Sequence, residues 1–276
     1  MAEDASRGTA VVTGASSGIG AEYARRLAAD GSAVVLVARR ADRLARLAGE
    51  LRERTGSAVE ELVADLSRPD DLHRVAERVA AADVTLLVNN AGISGYGPFA
   101  ETDAGLLAKV LAVNVMAPTL LTRAALPGML ARGRGAVVNV ASLLAFAGSL
   151  PPDPLPQRAV YGGSKGYLVT FTRTLAAELA GTPLRVQALC PGLTATEFHL
   201  STGAEPVAGD PGQVHADGGM PAADVVTASL AALRTGETVC VPGLADAAAV
   251  DLLAAAELGI RGAAGGPLAA RYRPGR

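Results

Sequence analysis

Short β-branched apolar runs alternate along this chain with longer segments in which apolar residues recur every three or four positions. The runs Ala10–Thr13, Ala33–Ala38, Ala58–Ala64, Thr85–Asn89, Ala136–Ala141, Arg185–Cys190 and Thr238–Val241 predict strands. Between them, Ile19–Asp30, Asp42–Thr55, Pro69–Ala81, Ala104–Ala131, Tyr161–Ala180 and Pro221–Leu233 predict helices. Nearly continuous apolar strands are what a sheet covered on both faces requires. Strand–helix alternation joins such strands by right-handed crossovers. The fold class expected is therefore α/β, a Rossmann-type doubly wound, mostly parallel seven-stranded sheet with helices on both faces.

Two stretches break the rhythm. Phe146–Arg158, containing LPPDPLPQR, is too proline-rich for a helix or a central strand. Leu193–Gly219 has little hydrophobic period and many small residues. Connections this long are usually functional lids or disordered segments. No linker separates two cores, so one domain is expected over residues 1–276. Within it we expect a flexible start over 1–8, a substrate lid over 193–219 and a mobile tail over 261–276. The proline-rich insert 147–158 is expected at the active-site mouth, either lining it or acting as a rigid spacer.

Composition narrows the function classes. A chain of 276 residues that is 50% hydrophobic can bury a core without metal or disulfide staples. A net charge of −2 argues against nucleic acid as a partner, because phosphate binding needs a basic excess. Two cysteines, Cys190 and Cys240, give no disulfide framework and suit a reducing compartment. The first residues carry no secretory pattern. Uninterrupted apolar runs fall far short of the about 20 residues that span a membrane. The expectation is a soluble cytoplasmic protein with no membrane partner.

Chemistry enters at Thr9–Gly20, TAVVTGASSGIG: a strand, glycines at 14, 18 and 20, then a helix. Glycines permit the tight turn and a close approach to a pyrophosphate, and the helix N-terminus supplies free N–H groups. Tyr161 and Lys165 are four apart on a helical segment and share one face. A tyrosine of ordinary pKa, about 10, is a poor acid or base at neutral pH. A neighbouring ammonium favours its phenolate and brings it toward the working range. Ser142 falls at the end of a different strand, where parallel sheets bind their ligands.

The loop spacing Gly-x-x-x-Gly-x-Gly resembles that of the classical short-chain dehydrogenase/reductase family, and further marks follow in order. They are Asp65, NNAG at Asn89–Gly92, Asn114, Ser142, Tyr161-x-x-x-Lys165 and Pro191–Gly192. The resemblance implies that Tyr161 gives a proton to a carbonyl, or takes one from an alcohol, while Ser142 polarises the substrate oxygen. Lys165 would hold the nicotinamide ribose and lower the tyrosine pKa. Asn114 would support a helix bend and a water-linked proton path. It further implies a cofactor cradle of Gly14, Ser16, Ser17, Gly18, Ile19, Gly20, Asp65, Leu66, Asn90, Ala91 and Gly92. Tyr161, Lys165, Pro191, Gly192, Thr194 and Thr196 would complete it at the nicotinamide end. Taken by themselves, Asp65 also suits a turn cap and Asn114 an ordinary polar helix position.

The strand that would select the cofactor ends Val37-Ala38-Arg39-Arg40, without the acid that accepts a ribose hydroxyl. A guanidinium pairs with phosphate, so NADP(H) is expected ahead of NAD(H), with Arg39 as the main contact and Arg40 beside it. The alternative is a solvated helix start. His199 and His215 lack a compact ligand set, so no metal is expected. The resemblance implies a carbonyl reductase or alcohol dehydrogenase on a small or medium apolar ketone, aldehyde or secondary alcohol, and a homodimer or homotetramer. Tyr96, Phe99, Leu143, Phe146, Phe198 and Met220 are candidate walls. Two rivals are a non-catalytic NADP(H)-binding sensor or scaffold, and an epimerase or lyase on the same fold.

Overall fold

The apolar runs form strands of a single sheet in the computed structural model of the chain, which describes residues 8–153, 155–198, 219–264 and 266–273. In chain order the strands are β1 (Thr9–Thr13), β2 (Ala33–Ala38), β3 (Val59–Val63), β4 (Val84–Asn89), β5 (Ala136–Val140) and β6 (Arg185–Leu189). Then come β7 (Thr194–Ala195), β8 (Met220–Pro221) and β9 (Val239–Cys240). The helices are α1 (Gly18–Ala29), α2 (Ala41–Thr55), α3 (Pro69–Val79), α4 (Ala104–Leu111), α5 (Ala117–Arg132), α6 (Ala159–Glu178), α7 (Ala222–Thr235) and α8 (Ala248–Ala263). Seven strands pair in the order β3-β2-β1-β4-β5-β6-β9, and every pairing is parallel. The doubly wound expectation is met.

Consecutive strand residues point to opposite faces, and the two cores follow that rule. Val12, Leu36, Val88 and Val138 pack with side chains of α1, α2 and α7. Val11, Val35, Leu87 and Val137 pack on the other face with Val75, Leu121, Met129 and Leu175 of α3, α5 and α6. β3 departs from the continuous apolar pattern: as the sheet edge it leaves Glu60 and Glu61 exposed, paired with Arg78 and Arg52.

The single helix expected over Ala104–Ala131 is interrupted by a π-helical turn at Ala112–Met116. By length and composition alone, Ala104–Arg132 is apolar enough to cross a membrane; in this fold its Leu121, Ala125 and Met129 are core residues. The chain groups into two compact units, Met1–Pro242 and Gly243–Arg276. The second unit contains α8, an element the hydrophobic pattern did not predict. None of its residues is buried, and Asp246 Oδ1 accepts a hydrogen bond from the Ala248 amide at its start. The segment expected as a mobile tail begins in the last turn of α8 and includes a 3₁₀ turn at Ala270–Tyr272.

A buried polar chain joins α1, α7 and β6. Tyr23 donates its hydroxyl proton to Ser229 Oγ, which donates to Gln187 Oε1 at 2.5 Å. Gln187 Nε2 closes the chain onto Ser229 O at 3.1 Å. All three residues are fully buried, so deleting the central hydroxyl leaves two groups without partners. Ser229→Ala is expected to lower the unfolding free energy by about 1–3 kcal/mol in urea denaturation; an unchanged midpoint contradicts this role.

Candidate active site

The turn from β1 into α1 forms the cradle. Gly18 has φ +54°, and a Cβ there would lie 2.9 Å from Thr196 Cγ2. A Cβ on Gly20 would meet Gly14 O at 2.4 Å and Asn90 Nδ2 at 2.5 Å, so only glycine lets α1 start this close to the strand ends. Ser17 makes no side-chain cap to α1, and the N–H groups of its first turn suit an anion. Ile19 packs on the core. Ser16 and Ser17 both receive the Arg40 guanidinium, with Nη2 at 2.9 Å from each hydroxyl. Arg39, expected as the main contact, is exposed and lies within electrostatic reach of Asp65. Asp65 accepts from Ser67 N at 3.0 Å and Ser67 Oγ at 2.7 Å, the pattern of the turn-cap alternative, and Leu66 is buried.

The end of β4 is tied on both sides. Asn90 Nδ2 donates to Thr13 O at 2.9 Å and Gly14 O at 3.2 Å, while the amides of Asn90 and Ala91 donate to Thr13 Oγ1. Asn89 donates to Asn139 Oδ1 at 2.9 Å and Thr122 Oγ1 at 3.1 Å, and Asn139 donates to Thr172 Oγ1 at 2.9 Å. Sequence reading missed Asn139; its signal was an amide in the middle of the apolar run VVNVAS. Asn114 occupies the π-helical turn, accepting from Ile93 N and donating to Ile93 O, each at 3.0 Å, and donating to Ser164 Oγ at 3.1 Å. π turns recur at functional sites because they re-aim a side chain within a helix.

α6 brings Tyr161 and Lys165 beneath Ser142, which follows β5. Tyr161 is 5% exposed and Lys165 is 3% exposed. Lys165 Nζ donates to Val140 O at 2.8 Å and lies 5.6 Å from the Tyr161 ring centre. A Cβ at Gly92 would stand 3.4 Å from Asn114 Oδ1 and 3.5 Å from Lys165 Nζ, which places NNAG, the π turn and the lysine around one point. Ser142 makes a side-chain hydrogen bond to the Tyr161 hydroxyl. Its Oγ also accepts from Leu144 N at 3.1 Å.

Burial dominates the ionisation of this group. It pushes the Tyr161 phenol well above its ordinary pKa, Tyr96 adds to the rise, and the Ser142 hydrogen bond opposes it. Burial also pushes Lys165 down to about 8. The expected acidification of the phenol by the lysine is thus not the state of the protein alone. Burial shifts both groups toward their neutral forms, so that the phenol stays protonated while the lysine, at about 8, keeps its charge at neutral pH.

Tyr96 and Phe198 flank Tyr161, with ring centres at 5.1 and 5.8 Å. Leu143 and Phe146 are exposed beside Ser142, and Phe99 is exposed on the segment after NNAG. Met220 is partly buried and packs against the core. The proline-rich insert is pinned by Arg158, whose guanidinium donates to the carbonyls of Ala147, Leu150 and Pro156. Gly97 N donates to Gln157 O at 3.0 Å, joining the insert to the Tyr96 segment.

On the far side, Pro191 O accepts from Leu143 N at 2.8 Å, Thr194 Oγ1 donates to the carbonyl of exposed Gly192, and Thr196 covers Gly18. Most of the expected lid, with His199 and His215, lies outside the described residues. Among the described residues no group of three or more His, Cys, Asp or Glu side chains forms a metal site.

Comparison with known proteins agrees with this geometry. The family model for short chain dehydrogenases matches residues 8–206. Galactitol 2-dehydrogenase (L-tagatose-forming) of Cereibacter sphaeroides is 38% identical over 248 residues, which cover 83% of this chain and 94% of that protein. A short-chain dehydrogenase of Sphingobium yanoikuyae, solved in complex with NADPH, superposes with a TM-score of 0.86 at 36% identity, covering 96% of this chain and 100% of that one. The bulky-bulky ketone specific alcohol dehydrogenase of Comamonas testosteroni superposes at 0.83 with 31% identity, covering 97% and 99%. Several other curated relatives are longer, and this chain spans 60% of their length. With the glycine cradle, the π-turn asparagine and the buried Ser–Tyr–Lys group in one place, the chain belongs to the short-chain dehydrogenase/reductase family.

Proposed function

We propose that this oxidoreductase interconverts a ketone or aldehyde with its alcohol using NADP(H), with Tyr161 as the acid and base. The observation that carries the reading is the convergence of Ser142, Tyr161, Lys165 and Asn114 at the carboxyl ends of β4 and β5. A non-catalytic NADP(H) sensor or scaffold has no use for a phenol and an ammonium buried together at desolvation cost. No observation favours an epimerase or lyase.

The residues fit a dinucleotide. Gly14, Gly18 and Gly20 let the turn pack against Asn90, Ala91 and Thr196 where a Cβ would clash, and the first turn of α1 offers N–H groups for the pyrophosphate. Arg40, steered by Ser16 and Ser17, and exposed Arg39 would take a 2′-phosphate; the NADPH complex of the Sphingobium relative supports that choice. Asn90, Ala91, Gly92, Lys165 and the Pro191–Thr196 segment would hold the ribose and nicotinamide, which supplies the hydride when bound.

For reduction, Tyr161 starts as a protonated donor at neutral pH, and its raised pKa makes it a weak acid unless the phenolate is favoured as the proton leaves. Ser142 holds the substrate oxygen against that donor, and charged Lys165 steadies the phenolate left after transfer. The apolar, partly exposed walls Tyr96, Leu143, Phe146 and Phe198 suit an apolar carbonyl substrate, and the ketone-specific Comamonas relative supports that class. Exposed Met116 in the π turn, Leu120 and Leu130 on α5, and Tyr167 on α6 supply an apolar surface for the homo-oligomer.

Screening ketones and alcohols by nicotinamide absorbance tests the reading. Tyr161→Phe is expected to cut turnover by about 10²–10⁴-fold with NADPH binding retained; undiminished turnover contradicts it. Because the lysine must be charged to steady the phenolate, kcat/KM for reduction is expected to be flat through neutral pH. It should fall above about 8 as Lys165 loses its proton; a rate still rising there contradicts the assignment. Arg40→Ala is expected to weaken NADPH by about tenfold or more, the size of a charge-assisted hydrogen bond, with NADH little changed. Equal losses for both cofactors would remove Arg40 from phosphate recognition.

A further inference from the structure

The arginines at the end of β2 already hold an anion, and it belongs to the protein. Glu197 Oε2 accepts from Arg43 Nη1 at 2.5 Å and lies 3.6 Å from Arg40 Nη1. Arg40 is the same side chain that reaches Ser16 and Ser17. The carboxylate arrives from across the cradle. Its neighbour Thr196 covers Gly18, and Phe198, next along, packs against Tyr161. One short segment therefore touches the pyrophosphate turn, the catalytic phenol and the arginine cluster.

The charges facing this point are Arg39, Arg40 and Arg43 against Asp42 and Glu197. Glu197 is held below its ordinary pKa, first by the Arg43 hydrogen bond and then by the charges of Arg43 and Arg40 against a smaller burial cost. It is an anion throughout the neutral range. A carboxylate bound to guanidinium groups occupies the same donors that a phosphate would.

We propose that Glu197 is the counter-ion of the unliganded 2′-phosphate site, which NADP(H) must displace and NAD(H) need not, so that it tunes the preference between the two cofactors. The proposal rests on the NADP(H) reading above. It makes Glu197 a specificity-determining residue acting against the phosphate it neighbours: the carboxylate competes for Arg40 and Arg43 and repels the incoming charge. The side chains involved are between 32% and 47% exposed, so solvent screens the interaction and the effect is moderate.

Fluorescence titration of NADPH and NADH into wild-type and Glu197→Gln protein tests this without reliance on turnover. Glutamine keeps the shape and removes the charge. NADPH is expected to bind about three- to fivefold more tightly to the variant, with NADH unchanged. The gain should shrink at high salt, where the ionic competition is screened. Equal tightening of both cofactors would place Glu197 in general closure of the groove and overturn the proposal. Unchanged or weaker NADPH binding would also overturn it. If the wild-type protein binds NADH at least as tightly as NADPH, the cofactor reading itself fails, which the Glu197→Gln comparison does not decide. Glu197→Asp, with a shorter reach to Arg43, is expected to fall between wild type and the glutamine variant; affinities matching neither order contradict a charge competition.

Discussion

The side-chain amides at the carboxyl ends of β4 and β5, one of which reaches the end of β1, hold the site in register. A sheet covered on both faces has no solvent to satisfy polar side chains, so each must find a partner within the protein. Asn90 spans from β4 to the last carbonyls of β1, and Asn89 spans from β4 to Asn139 on β5. Asn139 passes the link to Thr172 on α6, the helix that carries Tyr161 and Lys165. The glycine cradle and the proton-transfer group are thus fixed by one chain of hydrogen bonds, not by two separate loops.

On that frame, desolvation sets the chemistry. The site buries a phenol and an ammonium side by side, and burial moves each toward its neutral form. In the proposed mechanism a neutral phenol suits the reductive direction, in which a proton must be given up. Alcohol oxidation asks the same group to accept a proton, and so depends on charge that the protein alone does not supply at the phenol. The Lys165 ammonium, tied to Val140 O, is placed to act on the phenolate once it forms more than on the resting phenol. The sequence spacing conveyed the pairing but not this balance, because burial depends on what closes over Tyr161, namely Tyr96 and Phe198.

The legible parts of the fold were those governed by period. Apolar runs gave all seven strands of the main sheet to within one residue, and the glycine, NNAG and Tyr-x-x-x-Lys marks fall on residues that the fold brings together. β3 falls inside the predicted run Ala58–Ala64 even though, as an edge strand, it exposes Glu60 and Glu61. α8 was missed although it carries Leu252, Leu258 and Ile260; these are exposed, and none of its residues is buried to mark a core face. The choice between Arg39 and Arg40 depends on which guanidinium turns toward Ser16 and Ser17, a matter of side-chain direction that adjacent identical residues conceal. Arg158 was equally hidden: its role appears only when the insert folds and presents three carbonyls to one side chain.

The central claim is that burial keeps Tyr161 a protonated donor while Lys165 waits to steady its conjugate base. It is tested most directly by ¹³C NMR of ring-labelled tyrosine, with Tyr161 assigned by its loss in Tyr161→Phe. The account predicts a Tyr161 signal that stays at the neutral-phenol position through the neutral and mildly alkaline range in the cofactor-free protein. A phenolate signal from Tyr161 near neutral pH would contradict it.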